Sequence, residues 1–216
     1  MFTIDFTRLL TGFIVLVVSL TVHEAAHAWS ADRLGDETAR RLGRLSLNPV
    51  VHVDPIGTIV FPLLAMVTNL PLIGWAKPVP VSTARLRGNW RRKFMMVAAA
   101  GPASNLVLAV AAAIVLAALA PVAASGDAIA VSVTARLDYL FQTMVVVNVL
   151  LAVFNMVPVP PLDGGNVLSG LLTGSMAGAF DRLRPFGFLI LYGLLLSGVL
   201  WTLVSPPAEL LLSWLL

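Results

Sequence analysis

His23, Glu24 and His27 stand at the end of a run, Leu9 to Val22, that contains no charged residue. On a helix, positions i and i+4 share a face, so the two imidazoles can offer ring nitrogens to one metal ion. Glu24, about 100° round the helix, can reach a water beside it. This H-E-x-x-H spacing suits hydrolysis, with neutral imidazoles as ligands and a carboxylate as general base. The bland alternatives are two satisfied core histidines and a structural acid. Ionisable groups at membrane depth are costly, however, and mark a functional site by default. A second acidic residue, Asp163, follows the proline-broken stretch Asn155-Met156-Val157-Pro158-Val159-Pro160-Pro161-Leu162. It can cap a helix over Gly164-Gly165 or bind the same metal. Its need for a partner in an apolar setting favours the ligand role. The chain has no cysteine, so a metal site must use His, Asp or Glu. His23, His27 and Asp163 are the three protein ligands that a catalytic zinc requires, one ion per chain with one position open. Zinc, one ligand carboxylate and Glu24 sum to zero charge, which limits the desolvation cost.

The elements that must position these residues lie in a membrane. Of the 216 residues 58% are hydrophobic and 12% charged, and the mean hydropathy is +0.92, far from the soluble average. The length fits one domain, residues 1–216 with a core of about 9–204. A pI near 10.0 reflects juxtamembrane Lys and Arg rather than nucleic-acid binding. Leu9 to Ala31 forms a first spanning helix with Ser19, His23, His27 and Ser30 on one face. Ala26-His27-Ala28 resembles a signal-cleavage site, but a cut there would destroy the motif, so no removable signal is expected. Arg44-Leu45-Ser46-Leu47-Asn48 alternates with period 2 and predicts a short strand. Pro49, Pro55, Pro62 and Pro71 punctuate the next apolar piece, Ile56 to Trp75. His52 lies among turn residues at an interface, where a structural role is favoured over a proton or metal role. Phe94 to Ala120 predicts a second spanning helix, rich in small residues near Gly101, where Asn105 serves either an interhelical hydrogen bond or a substrate. A turn over Pro121 to Asp138 leads to a third helix, Tyr139 to Val157. A short helix after Asp163, a polar link with Asp181, Arg182 and Arg184, a fourth spanning helix from Phe186 to Val204 and an amphipathic tail to Leu216 complete the chain. The expected fold is an all-α polytopic membrane protein with four spanning helices, a re-entrant segment and a short β element.

Charge sets the expected topology. Residues 33–44, 77–93 and 182–184 hold twelve of the fourteen Lys and Arg, leaving Arg8 and Arg136 for the other side. The positive-inside rule then puts the three basic blocks in the cytoplasm and both termini outside, and it makes Ile56 to Trp75 enter and return. His23, His27 and Asp163 thereby meet at one depth, towards the cytoplasmic face of the cell membrane.

His23-Glu24-Ala25-Ala26-His27, paired with Asn155-x-x-Pro158-x-Pro160-x-x-Asp163-Gly164, resembles the site-2 protease family of intramembrane zinc metalloproteases. Gly101-Pro102-Ala103-Ser104-Asn105, Asp54-Pro55-Ile56-Gly57-Thr58 and Gly74-Trp75-Ala76-Lys77-Pro78 resemble its short prokaryotic members, which carry no PDZ or CBS module. The resemblance implies zinc on His23, His27 and Asp163, Glu24 as general base and later acid, and Asn155 positioning the scissile carbonyl. It also implies a sheet edge, here Arg44 to Asn48, that pairs with an unwound substrate strand, and single-span membrane proteins as substrates. The competing class is a zinc-binding membrane transporter or a non-catalytic scaffold. That class has no evident need for Glu24, and the chain lacks the paired broken segments of a transporter.

Overall fold

A computed structural model describes residues 5–68, 74–123 and 128–216. Helix α1, Phe6–Arg33, begins where the Asp5 carboxylate accepts from Thr7 N at 3.1 Å and Arg8 N at 3.2 Å, satisfying two otherwise orphaned donors. It ends before Gly35, whose φ of +108° lets the chain turn away. A one-turn helix α2, Thr38–Arg41, follows. After a proline-led π turn at Pro55–Val60 comes the short α3, Phe61–Thr68. Then come the long α4, Trp90–Ala123, and α5, Ala128–Asn155. The remainder is α6, Asp163–Leu171, α7, Gly174–Asp181, α8, Gly187–Leu196, and α9, Val199–Leu215.

Three helices are long and apolar enough to cross a membrane, Phe6–Arg33, Trp90–Val122 and Val131–Asn155. Only 17–28% of their most apolar windows is buried within the protein. Side chains such as Ile14, Val107 and Ile114 are at least half exposed, so these helices need a bilayer to cover them. Between α4, α5 and α9 the core is built from Ala109, Ala112, Val145, Val149 and Ala208, where the alanines let backbones approach closely. A second cluster, with Val157, Leu162, Leu191 and Leu200, fixes the loop that precedes α6 against α8 and α9.

Several sequence expectations change. No strand forms among the described residues, and Arg44 to Asn48 is irregular. A period-2 pattern makes a strand only when a neighbouring strand takes up its backbone groups. Here Arg44 instead turns inward and donates to the carbonyls of Val51, Lys77 and Pro78. The fourth span is broken: α8 and α9 meet at a 77° bend at Gly198, whose φ is +77°. With that pair counted as one, up to four spans are present. The expected turn over Pro121 to Asp138 is mostly helix, because α4 runs through Pro121 and α5 starts at Ala128; residues 124–127 lie outside the described residues. Asp181 ends α7 rather than lying in a link. The two ends of the Ile56 to Trp75 piece are hydrogen-bonded, Trp75 N to Gly57 O at 3.0 Å and Thr58 Oγ1 to Trp75 O at 2.8 Å. The segment therefore leaves and returns to one level; its residues 69–73 lie outside the described residues.

Candidate metal centre

His23 and His27 lie one turn apart on the buried face of α1, with Asp163 opposite them at the first position of α6. His23 Nε2 is 3.0 Å from Asp163 Oδ2 and 3.0 Å from His27 Nε2, and His27 Nε2 is 3.3 Å from the same oxygen. What the far side of each ring does fixes its chemistry. His27 Nδ1 is 2.7 Å from Val97 O, a carbonyl that can only accept, so this nitrogen carries the proton. His23 Nδ1 is 2.6 Å from Asn105 Oδ1 and donates likewise. In neutral rings both Nε2 atoms then present lone pairs, and they converge on each other and on a carboxylate oxygen. Three lone pairs at 3.0–3.3 Å repel unless a proton or a metal ion lies among them. Ligand bonds of about 2.0–2.1 Å in tetrahedral geometry put neighbouring donors about 3.3 Å apart, so the set fits zinc. The helix-cap alternative for Asp163 is not what forms, since the cap position of α6 falls on Leu162.

The chain's local chemistry explains why these groups meet. Pro158, Pro160 and Pro161 cannot continue α5, and the loop doubles back so tightly that a Cβ on Gly164 would lie 2.5 Å from Val157 O. Gly101 of α4 has a different reason to be bare. A Cβ there would stand 2.5 Å from His23 Nε2 and closer still to His27 Nε2. Pro102 has no N–H to offer Ala98 O; the neighbouring Val97 O, within the continuous helix α4, accepts from His27.

Glu24 is buried beside the histidines, with ligand atoms of His23, Glu24 and His27 all within 4.8 Å of one another. Its Oε2 accepts from Val79 N at 2.9 Å. Val79 belongs to an irregular strap, residues 74–82, that forms one wall of a cavity of about 510 Å³. The cavity is shared by His23, Glu24, His27, Asn155 and Asp163, with apolar walls from Phe94, Phe154 and Phe188. Asn155 donates through Nδ2 to Leu151 O at 2.9 Å on its own helix.

The remaining sequence candidates lie elsewhere. Arg44, Leu45, Ser46, Leu47 and Asn48 do not line the cavity. Ser46 O accepts from His52 Nε2 at 2.8 Å and Asn48 Oδ1 from Val50 N at 3.1 Å, so this stretch braces the strap's surroundings. Asn105 is fully buried beneath His23 rather than facing the cavity. Three features come from the structure. Gly101 reads in the sequence as a helix-packing residue, and Val79 acts through its backbone, which no side-chain pattern reports. Asn148 lies within an apolar run, where a lone amide at depth carries the same signal as Asn105.

Comparison with known proteins agrees with this chemistry. The family model described as Peptidase family M50 matches residues 120–196, which include Asn155 and Asp163. Three curated relatives share the name "Putative zinc metalloprotease". YwhC of Bacillus subtilis is 35% identical over 204 residues, 93% of this chain and 88% of the relative. Rip2 of Mycolicibacterium smegmatis is 33% identical over 88% of this chain and 70% of the relative. Rip2 of Mycobacterium tuberculosis is 30% identical over 90% of this chain and 69% of its own length. No solved structure matches the chain. Since those alignments run through nearly the whole sequence, the histidine helix as well as the Asn155 to Asp163 loop, the chain belongs to peptidase family M50, the site-2 proteases.

Proposed function

We propose that this zinc metalloprotease hydrolyses peptide bonds within or next to the membrane-spanning segments of single-span proteins, using one zinc held by His23, His27 and Asp163. The observation that carries the reading is the convergence of two imidazole nitrogens and a carboxylate oxygen on one point of a cavity walled by bilayer-spanning helices. When bound, zinc supplies Lewis acidity, which lowers the pKa of water and polarises a peptide carbonyl. The chain's own groups do the rest. Val79 N–H holds Glu24 Oε2, so the carboxylate stays oriented to take a proton from water and later return it to the leaving amine. Asn155 spends one amide hydrogen on Leu151 O, and its second is free to donate to the substrate carbonyl as charge develops there. The apolar walls exclude bulk water and receive the substrate's side chains. A helical substrate hides its carbonyls in its own hydrogen bonds, so it must unwind, and the strap, which belongs to no helix or strand, offers the unwound chain a backbone to lie along.

Sidedness follows from charge. Lys93 Nζ donates to Leu34 O at 3.1 Å, Arg44 Nη2 to Lys77 O at 2.7 Å and Arg91 Nη2 to Asp181 Oδ2 at 2.8 Å. The three basic blocks are thus tied together at one end of the bundle, the end that the positive-inside rule assigns to the cytoplasm. A cysteine replacing Thr83 should be labelled from the cytoplasm; labelling from outside would invert the topology and with it the face on which the site opens.

The experiment that separates an enzyme from a transporter or scaffold is Glu24→Gln. Glutamine still accepts from Val79 N–H but cannot act as a base. The variant should fold, hold about one zinc per chain, and cleave a single-span reporter roughly 10²–10⁴-fold more slowly than the parent. Cleavage at the parental rate, with deamidation excluded by mass spectrometry, would falsify the protease mechanism.

A further inference from the structure

Beneath His23 lies a fully buried chain of side chains from three helices: Ser19 on α1, Asn105 on α4 and Asn148 on α5. Asn148 Nδ2 donates to Ser19 Oγ at 2.9 Å and to Met144 O, one turn back on its own helix, at 2.9 Å. Its Oδ1 accepts from Asn105 Nδ2 at 2.8 Å. Asn105 Nδ2 also donates to Ser19 O at 3.3 Å, and Asn105 Oδ1 accepts from His23 Nδ1 at 2.6 Å. An amide side chain can flip and exchange its donor and acceptor, so the direction of such a chain must be set somewhere. Here it is set at two main-chain carbonyls that cannot donate: Met144 O, which takes Asn148 Nδ2 at 2.9 Å, and, by a longer bond of 3.3 Å, Ser19 O, which takes Asn105 Nδ2. Flipping Asn148 would set its oxygen against Met144 O and its NH₂ against the NH₂ of Asn105. With Asn148 fixed, Asn105 must turn its oxygen towards His23, His23 must hold its proton on Nδ1, and the lone pair must fall on Nε2, the atom that faces His27 and Asp163.

We infer that Asn148 is a positioning residue of the metal centre: through Asn105 it locks His23 in the one tautomer that leaves Nε2 open to the metal. This rests on the reading of His23 as a ligand. His27 needs no such relay, because Val97 O fixes its Nδ1 directly. Asn148 touches neither the cavity nor the ligand set; it reaches His23 through Asn105, and it also holds Ser19, one turn before His23 on α1.

The test uses the full chain in detergent micelles, with zinc ion as the probe in chelator competition and nitrogen NMR of histidine-labelled, zinc-free protein at alkaline pH. Asn148→Leu, similar in size, removes the shorter of the two bonds that hold Asn105 Nδ2 and leaves only the 3.3 Å bond to Ser19 O to resist its flip. It should weaken zinc binding ~10–100-fold, the usual cost of losing an outer partner of a ligand, and move His23 towards the Nε2–H form while His27 is unchanged. Asn148→Asp keeps an oxygen for Asn105 and, buried and protonated, an O–H for Met144 O; it should regain parental affinity, which mere helix packing does not require. A folded Asn148→Leu with parental affinity and parental His23 tautomer overturns the inference. So does an Nε2–H His23 in the zinc-free parent, which is informative even if the leucine variant fails to fold. A parent with the expected tautomer that nevertheless binds no zinc would sink the metal-site reading and leave the relay standing.

Discussion

The two walls of the cavity are built on different principles. On the histidine side every partner belongs to a long helix: Val97 and Asn105 on α4, Asn148 on α5, Ser19 on α1. On the Glu24 side the partner is the irregular strap of residues 74–82, held by separate ties. Lys77 N bonds His52 O at 2.9 Å, Ser82 N bonds Asp36 Oδ2 at 2.6 Å, and the buried Arg44 guanidinium takes the carbonyls of Lys77 and Pro78. A metal tolerates little error in ligand placement, and helices that bury polar groups at full satisfaction supply that rigidity. Apart from the Val79 N–H bond to Glu24, the strap is held by Asp36, Arg44 and His52, none of which is a proposed ligand. Damage on the two sides should therefore be separable: the helical side governs zinc, and the strap governs turnover.

The largest effect should follow from Asp163→Ala, which removes one of three donors and leaves the two histidines facing an open cavity. Zinc and activity should both be lost, as read by metal analysis and reporter cleavage. Full zinc occupancy in that variant would remove Asp163 from the ligand set. Gly101→Ala comes next. Alanine is the better helix former, yet its methyl must occupy the space against both Nε2 atoms. Zinc affinity should fall and thermal stability of the zinc-free protein should not rise, because overpacking against two buried rings costs about 1–3 kcal/mol and offsets the helix-propensity gain; a variant that binds zinc normally would show that α4 can withdraw from α1. Arg44→Met sharpens the comparison from the other side. It leaves carbonyls of Val51, Lys77 and Pro78 without their donor, at about 1–3 kcal/mol for each one left dry. Unfolding temperature and kcat should drop while zinc stays at the parental level. Zinc loss there would couple the two walls and end the distinction.

The same contrast explains what could be read in advance. Helical periodicity put His23 and His27 on one face, and the run Leu9 to Val22 put them at depth, because spacing and hydropathy are local properties. Asp163 was legible for a related reason: prolines announce a broken helix, and an acid beside the break needs a partner. Arg44 to Asn48 misled because alternation reports which way side chains point, not whether a second strand lies alongside. The α8–α9 bend was hidden because an apolar run does not disclose the left-handed turn that Gly198 takes within it.

The sequence by itself determined the membrane setting, the two-histidine helix with its adjacent carboxylate, and the acidic residue beyond the proline loop. All of these rest on residue type and on separations within one element. Only the tertiary structure decided that Asn105 lies beneath His23, that Asn148 orients it, that Gly101 leaves room for two imidazole nitrogens and that Val79 offers its N–H to Glu24. These pairings join residues far apart in the chain. They depend on how helices dock and on which end of an amide faces a carbonyl that cannot turn.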